Sequence, residues 1–259
     1  MEFETLKLSH DDFISTVTID NPPINAIDAR AVEDLDAAFS ELANRENLRA
    51  VILASALKKV FIAGADINQF IAWKKKDGIM VTSRGHEVLR KIAHFSKPVI
   101  CAINGVAFGG GLEIALACDI RVIDKKAQVG LPETGLGVVP GYGGTQRLPR
   151  LVGPGMAKKL ILTAQAIGAE EAYRIGIAEV LAEAGECLAE ARKMAERISA
   201  QAPLAISAGK RCVDFAMEES LEDGIKFEIQ SVGELADTED KTEGSSAFLE
   251  KRPAVFKNK

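Results

Sequence analysis

Two short, continuously apolar runs constrain the fold of this chain more than any other feature of its sequence. Residues 50–54 read Ala-Val-Ile-Leu-Ala, and residues 98–103 read Pro-Val-Ile-Cys-Ala-Ile. A strand that is apolar on both faces is typical of a parallel sheet covered by helices. A candidate helix at 109–118 and a further strand at 120–122 follow. This alternation predicts an α/β architecture with parallel strand pairing.

The two ends of the chain show different patterns. Residues 2–8 and 13–19 are predicted strands, and Asp28 is a candidate N-cap for a helix whose apolar residues recur at helical spacing. After Pro154 the composition favours helices, over residues 157–162, 169–174, 186–200, 203–217 and 221–248. We therefore predict an α/β core over residues 1–200 and a C-terminal helical region over 201–259, with no internal repeat.

Composition argues against several classes of protein. The chain has 259 residues, of which 47% are hydrophobic and 27% charged, an ordinary globular composition. The formal net charge of -5 disfavours nucleic-acid binding. The acidic N-terminus has no apolar signal segment, no apolar run reaches membrane length, and the four cysteines form no CxxC pair. We expect a soluble, cytoplasmic protein with reduced thiols.

Two glycine-containing turns are candidates for binding an anion through the main chain. In Phe-Gly-Gly-Gly-Leu-Glu at 108–113, side chains are absent where a helix begins. The first N–H groups of a helix lack internal partners and lie at its positive end. The turn Phe-Ile-Ala-Gly-Ala-Asp-Ile at 61–67 also leaves the main chain open. Each is weak evidence alone, because three glycines more often form a tight turn and Asp66 is also a candidate helix cap.

Two glutamates occupy sequence contexts unusual for a charged residue. Glu113 lies within the apolar segment 112–117, and Glu133 follows Leu131-Pro132 in a glycine-rich loop. A carboxylate in an apolar segment is costly unless it is paired or used. A solvated position is the usual interpretation of one glutamate, but for Glu113 a functional role is equally well supported.

Other common chemical motifs are absent from the sequence. There is no G-x-S-x-G elbow, no P-loop, and no G-x-G-x-x-G unit for a dinucleotide. The histidines His10, His86 and His94 have no metal-ligand spacing, and His86 and His94 are predicted to lie on a helix surface. We therefore expect no metal site.

In combination, these segments resemble the enoyl-CoA hydratase (crotonase) family along nearly the whole chain. The resemblance rests on Pro-Pro-Ile-Asn-Ala at 22–26, the turn at 61–67, the segment 102–113, Leu-Pro-Glu at 131–133, Pro-Gly-Tyr-Gly-Gly-Thr-Gln-Arg-Leu at 140–148, and Ala-Phe-Leu-Glu-Lys-Arg at 247–252. Several ordered motifs are far more specific than any one glycine run.

The resemblance implies roles for individual residues. The N–H groups of Ala63 and Gly110 would form an oxyanion hole for the thioester carbonyl. Glu113 and Glu133, separated by 20 positions, would be the catalytic pair, mainly as base and mainly as acid respectively. Gly141 would lie near the catalytic water. The expected substrate-binding residues are Ala65, Asp66 and Ile67 beside the adenine, Ile24 and Ala26 along the approach, Phe248 and Lys251 reaching a neighbouring subunit's CoA, and also Gly64, Gly109 and Pro132.

The resemblance also implies a fold, a reaction and an assembly. The family fold is a spiral of β-β-α turns with a C-terminal helical trimerisation region, and two trimers usually stack as a hexamer. The reaction would be reversible addition of water across the 2,3 double bond of a 2-enoyl-CoA to give 3-hydroxyacyl-CoA. Coenzyme A would be part of the substrate, so no separate cofactor, nucleic acid or membrane partner is expected.

Alternative functions stay open at this point. The same scaffold hosts enoyl-CoA isomerases and other acyl-CoA enzymes, which change the acid and base residues, and the presence of both glutamates favours a hydratase. A non-catalytic CoA-thioester binding protein is the alternative from a different class. The sequence does not determine chain length, branching or pathway, of which fatty-acid β-oxidation is one.

Further residues are candidates for contacts with the two ends of the substrate. Tyr142 and the helix around Phe70, Trp73 and Met80 are candidates for shaping an acyl pocket. Lysines at 58–59 and 74–76 are candidates for attracting CoA phosphates. A solvated lysine face is the favoured interpretation of 74–76.

Overall fold

The computed structural model describes residues 2–259, except for the side chains of residues 68–70. The strands in chain order are β1 (Leu6–Asp11), β2 (Ile14–Ile19), β3 (Ala50–Ser55), β4 (Val60–Ile62), β5 (Val99–Ile103), β6 (Val106–Phe108), β7 (Ile120–Asp124), β8 (Gln128–Gly130), β9 (Ile167–Gly168) and β10 (Val180–Ala182). The helices are α1 (Ala29–Ala43), α2 (Ile67–Ala72), α3 (Lys75–Ala93), α4 (Gly110–Ala117), α5 (Gly144–Leu162), α6 (Ala169–Arg174), α7 (Cys187–Ser199), α8 (Pro203–Ala216), α9 (Leu221–Ala236) and α10 (Glu239–Glu250), with a 3-10 helix at Pro132–Leu136.

The strands form two sheets. The larger has the order β1-β2-β3-β5-β7-β10, in which β1 and β2 are antiparallel and the later neighbours are parallel. The smaller has the order β4-β6-β8-β9, in which β4, β6 and β8 are parallel and β9 is antiparallel. The predicted α/β class with parallel pairing is therefore confirmed.

The chain alternates between the sheets in a repeating unit. A strand of the large sheet is followed by a strand of the small sheet and then by helix, in β3-β4-α2-α3, β5-β6-α4 and β7-β8-α5. Each unit adds one strand to each sheet beside its predecessor, so the chain winds as a spiral of β-β-α turns. The expected spiral is thus confirmed, although the sequence contains no detectable repeat.

The core explains why the apolar runs form strands. Every residue of β5 is buried, and β3 is buried from Ala50 to Ala54. One face of the large sheet packs on Cys187, Ala191 and Ala195 of α7, and the other packs within the spiral on α1, α3 and α4. Burial of both faces accounts for the continuous apolar pattern.

Helix α1 confirms the predicted N-cap. The side chain of Asp28 accepts a hydrogen bond of 2.8 Å from the N–H of Ala31, which satisfies one of the unpaired donors at the helix start. The four apolar residues at helical spacing, Val32, Leu35, Phe39 and Leu42, are all buried.

Several predicted boundaries were wrong. The first strand begins at Leu6, and the helix expected after Pro154 already begins at Gly144. The helix expected over 221–248 is two helices, because Thr238 caps the N-terminus of α10 by accepting from the N–H of Lys241. A side-chain cap competes with helix continuation, and the polar residues Asp237 and Thr238 supply that break.

The C-terminal helices attach to the spiral through a few polar contacts. Lys210 of α8 pairs with Asp119 at 2.9 Å, and Arg49 donates to the carbonyl oxygens of Ser199 and Phe256. Phe215 and Phe227 stack between α8 and α9 with ring centroids 4.6 Å apart. Across residues 2–259, no helix combines the length and apolar character that a membrane span requires.

Candidate active site

The carboxyl ends of three neighbouring parallel strands meet at one edge of the small sheet. Strand β4 leads into residues 63–65, β6 into Gly109 and Gly110, and β8 into the turn that carries Glu133. Parallel strands end on the same side, so these three segments come together although they lie far apart in sequence. This edge is the usual place for a ligand in α/β folds.

A cavity of about 830 Å³ opens at this edge. Ten of the predicted site residues line it: Ala63, Gly64, Ala65, Ile67, Gly109, Gly110, Glu113, Pro132, Glu133 and Gly141. Five do not, among the residues that the structure describes: Ile24, Ala26, Asp66, Phe248 and Lys251. Ile24 and Phe248 are exposed to solvent, 47% and 83% respectively.

Helix α4 presents the first candidate amide. Its first residue is Gly110, whose N–H has no acceptor within the helix. Gly109, the N-cap, has a φ of 51°, a left-handed conformation that favours glycine. The N–H of Gly110 therefore lies at the positive end of a fully buried helix, beside the cavity.

The second candidate amide differs from the one expected. The N–H of Ala63 donates to the carbonyl of Ile24 at 3.1 Å, so it is already occupied. In the part of the chain that the structure describes, the N–H of Ala65 has no acceptor, and Ala65 lines the same cavity. The assignment of an oxyanion donor to Ala63 therefore does not fit the structure, and the sequence analysis, which placed Ala65 beside the adenine, missed Ala65 as a candidate donor.

Glu113 is a buried carboxylate held by the main chain. It is 2% exposed, and its Oε1 accepts hydrogen bonds of 2.8 Å from the N–H of Tyr142 and 2.7 Å from that of Gly144. Burial raises the pKa of Glu113, whereas the two N–H groups and the charge of Arg147 oppose that shift. Hydrogen bonds from N–H groups stabilise the ionised form.

Glu133 lies in a different environment. It is 8% exposed, and its Oε2 has no hydrogen-bond partner among the described residues. Its Oε1 would lie 2.9 Å from a Cβ at position 109, so the carboxylate approaches where Gly109 leaves space. Burial, with a smaller contribution from the nearby charge of Glu113, raises the pKa of Glu133 to about 7. Near neutral pH this group holds a proton that an ordinary glutamate has lost.

Arg147 supports the loop that holds Glu113. Its Nη1 donates to the carbonyl of Tyr142 at 3.0 Å, one residue before Gly143 in the same turn. Burial lowers the pKa of Arg147, and the charge of Glu113 opposes that shift. Burial lowers the pKa of His86, and the charge of Arg147 contributes in the same direction. A cation thus stands behind the loop, within electrostatic reach of Glu113.

Helix α3 supplies cavity residues that the sequence analysis missed. Ile79, Thr82 and His86 lie one helical turn apart and line the cavity. His86 is exposed, as predicted, and the surface on which it lies is the wall of the cavity. Their three- and four-residue spacing was visible in the sequence, but nothing there indicated which face meets the cavity. The remaining lining residues outside the prediction are Gly78, Thr134, Leu136, Gly137, Val138, Val139 and Pro140.

The residues predicted to contact the acyl chain and the CoA phosphates lie in different parts of the structure. Trp73 and Tyr142 line the cavity, Met80 is 61% exposed and is not among its lining residues, and the side chain of Phe70 lies outside the described residues. Lys58 and Lys59 line a different cavity, beside Asn104. Of the lysines at 74–76, Lys75 lines the same cavity as Glu113. The backbone N–H of Lys74 donates to Asp77 at the start of α3.

The described residues contain neither a metal-ligand cluster nor a disulfide. Within residues 2–259, side chains 68–70 apart, no three His, Cys, Asp or Glu residues form a group able to hold a metal ion. All four cysteines are unpaired, and Cys101, Cys118 and Cys187 are buried.

Comparisons with known proteins agree with this geometry. The family model described as Enoyl-CoA hydratase/isomerase matches residues 10–259. The short-chain-enoyl-CoA hydratase of Clostridium acetobutylicum is 41% identical over 261 residues, covering 100% of both chains. The crotonyl-CoA hydratase of Syntrophomonas wolfei is 37% identical over 260 residues, again covering 100% of both. The crystal structure of enoyl-CoA hydratase from Bacillus anthracis superposes with a TM-score of 0.95 at 32% identity, covering 99% of this chain and 100% of that one.

Proposed function

Because the chain belongs to the enoyl-CoA hydratase/isomerase family, we propose that it is a hydro-lyase that adds water reversibly across the 2,3 double bond of a 2-enoyl-CoA, giving a 3-hydroxyacyl-CoA. One observation carries the proposal. Two buried carboxylates in contrasting environments, Glu113 and Glu133, face one cavity together with the unpaired N–H groups of Ala65 and Gly110.

The two amides act on the thioester carbonyl. As water adds at C3, negative charge develops on the carbonyl oxygen, and fixed donors aimed at that oxygen lower the barrier. Loss of one such donor typically costs about 3 kcal/mol, roughly a hundredfold in rate. We assign the donors to Ala65 and Gly110, because the N–H of Ala63 is occupied by Ile24. Both are main-chain groups, so they stay rigid and do not titrate.

The two glutamates handle the protons. Glu113, with two N–H donors on its carboxylate, is suited to remain ionised and to take a proton from the attacking water. Glu133, whose pKa is about 7 and whose Oε2 has no partner, is suited to hold a proton and deliver it to C2. The active form of the pair thus carries one proton, and the reverse reaction exchanges the two roles. Because the groups interact, their titration belongs to the pair.

The remaining predicted contacts belong to the same proposal. Coenzyme A arrives as part of the substrate, so no separate cofactor is proposed. Ile24, Ala26 and Asp66 do not line the cavity, and we retain them in the proposal as CoA contacts beside it. Lys251 and Phe248 lie at the end of α10, and we propose that they reach the CoA of a neighbouring subunit.

That contact requires an oligomer. Helix α9 exposes an apolar stripe at helical spacing, with Leu221, Ile225, Ile229 and Val232 each 48–82% exposed. An exposed stripe of this size on a monomer marks an interaction surface. We propose that α9 contributes to a homotrimer, or to a hexamer of two trimers, in the cytoplasm. Analytical ultracentrifugation would distinguish these from a monomer.

The reaction is tested directly with crotonyl-CoA. We expect loss of the ultraviolet absorbance of the conjugated thioester, and a product that carries oxygen from isotopically labelled water. An isomerase would instead convert a 3-enoyl-CoA to the conjugated isomer without incorporating the label. A non-catalytic binding protein would bind CoA thioesters and change neither absorbance nor mass. Either of these outcomes would overturn the hydratase assignment.

A further inference from the structure

Tyr142 connects the proposed base to helix α3. Its N–H donates to Glu113, and its ring lies on Gly85, which is buried in the middle of α3. A Cβ at position 85 would lie 2.2 Å from Cε1 and 2.4 Å from Cζ of that ring. The ring therefore occupies the space that any larger residue at position 85 would need.

The other edge of the ring faces the proposed oxyanion hole. A Cβ at Gly110 would lie 3.8 Å from Cδ2 of Tyr142, an ordinary van der Waals contact. The ring thus extends from the wall of α3 to the N-terminus of α4, and it lines the cavity on the way. Burial raises the pKa of Tyr142 to about 12, which agrees with apolar surroundings.

The position of Tyr142 determines which part of a substrate it meets. This step rests on the proposed function, in which Glu113 activates the water that adds to C3. The C3 carbon then lies near Oε1 of Glu113, and the Tyr142 N–H is 2.8 Å from that oxygen. The acyl chain beyond C3 therefore leaves the reacting carbons beside the Tyr142 side chain.

We propose that the Gly85–Tyr142 pair limits acyl chain length, so that the preferred substrates are short-chain 2-enoyl-CoA thioesters. The Tyr142 ring closes the cavity beyond C4. Because Gly85 has no side chain, the ring packs close to α3 and leaves room for a four-carbon chain. Each methylene that a pocket cannot accommodate typically costs about tenfold or more in kcat/KM. Gly85 acts through Tyr142, so it is a positioning residue, whereas Tyr142 contacts the chain.

The test compares kcat/KM for 2-enoyl-CoA esters of about four, six and eight carbons. For the wild type we expect at least about a tenfold fall from the shortest to the longest ester. Tyr142→Ala removes the ring that closes the cavity, so the ratio of kcat/KM for the eight-carbon ester to that for the four-carbon ester should rise about tenfold or more. Tyr142→Leu is a second truncation and should raise the same ratio. Tyr142→Phe keeps the ring and should keep the preference.

Gly85→Ala tests the other half of the pair. Its Cβ pushes the ring into the cavity, so we expect at least about a tenfold loss even with the four-carbon ester. In the Tyr142→Ala background the same change should have little effect, because the ring is gone. Gly155→Ala, in α5, is the matched control, since its Cβ meets nothing within 4 Å.

The outcomes separate this inference from the proposed function. If the wild type hydrates no ester of any length, the hydratase assignment fails and the inference with it. If the wild type hydrates the four-carbon ester but both truncations leave the length preference unchanged, only the inference is overturned. A loss in Gly85→Ala that persists without the Tyr142 ring would also overturn it.

Discussion

The N–H of Gly144 lies 2.7 Å from Oε1 of Glu113, although the two residues are separated by 31 positions in the sequence. Gly144 is the first residue of α5, so its N–H has no acceptor within the helix and is available for the carboxylate. The start of one helix thereby fixes the side chain of another. The proposed base is held by the fold itself and not by a second titrating side chain.

This relationship makes Gly144→Ala a sharp test of base positioning. The added Cβ would lie 2.8 Å from Leu131 Cδ1 and 3.1 Å from Glu113 Oε1, so Leu131 must move and the carboxylate must shift by a few tenths of an ångström. A displacement of about 1 Å in an active site costs on the order of a hundredfold in rate, and a smaller displacement costs less. We therefore expect kcat for crotonyl-CoA hydration to fall by roughly threefold to tenfold. Gly155→Ala, in the same helix, should leave kcat unchanged, and a normal kcat in Gly144→Ala would contradict the account.

Arg147 is expected to set the acidic limb of the pH profile. Its charge favours ionised Glu113, and its Nη1 holds the carbonyl of Tyr142. Arg147→Gln removes both effects, so the pKa of Glu113 rises and the acidic limb of kcat/KM moves to higher pH. Arg147→Lys keeps the charge and should move the limb less.

The matched control for this experiment is Arg150→Gln. Arg150 lies about one turn further along α5, is exposed, and donates to the carbonyl of Gln146. Glu133 and His86 also face this region, and both are unchanged in every variant. An acidic limb that stays in place in Arg147→Gln would refute the electrostatic role of Arg147.

Glu133 is expected to lower stability at alkaline pH. Its pKa is about 7 in the folded protein against an ordinary value of 4.5, so the folded state binds the proton more tightly. This contribution to stability is complete below about pH 4.5 and is lost as the pH rises through about 7. At 1.36 kcal/mol per pKa unit, the loss at high pH is up to about 3 kcal/mol.

Glu133→Gln stays neutral at every pH and removes this dependence. By denaturant unfolding we expect the variant to exceed the wild type in stability by up to about 3 kcal/mol at about pH 8.5, and to match it near about pH 4. A difference of the same size at both pH values would show that burial of an ionised Glu133 is not its cause.

The ion pair of Lys210 with Asp119 is expected to attach α8 to the core. The two side chains are only 8% and 19% exposed, and Asp119 also accepts from the N–H of Val99. Lys210→Met leaves a buried carboxylate without its cation, which costs about 3 kcal/mol of unfolding free energy. Lys226→Met, whose side chain is 64% exposed and pairs on the surface, should change stability by less than about 1 kcal/mol. If the two substitutions lowered the unfolding free energy equally, the Lys210–Asp119 ion pair would not be what attaches α8 to the core.

The sequence predicts those parts of the fold whose cause is local. The run at 50–54 indicates a doubly buried strand because no polar face interrupts it, and Asp28 indicates a helix start because its side chain can cap one. Strands β4, β6 and β8 were not predicted, because each has only three residues and shows no usable periodicity. Their pairing is long-range, and it is this pairing that brings the site together.

The choice between Ala63 and Ala65 marks the limit of sequence reasoning about the site. The two residues are identical in type and lie two positions apart in one small-residue turn. Which amide faces the cavity depends on a contact with the turn at 22–25, since the carbonyl of Ile24 accepts the N–H of Ala63. The glutamates were easier to identify, because a carboxylate in an apolar segment is conspicuous without any knowledge of its neighbours.

The most direct measurement is the rate of crotonyl-CoA hydration by Glu113→Gln, Glu133→Gln and the double variant. General acid or base catalysis typically contributes about a hundredfold to ten-thousandfold. We predict a fall in kcat within that range for each single variant, with CoA-thioester binding retained. The double variant should be hardly slower than the worse single one, because the pair acts as a unit. Near wild-type hydration by either single variant would contradict the account.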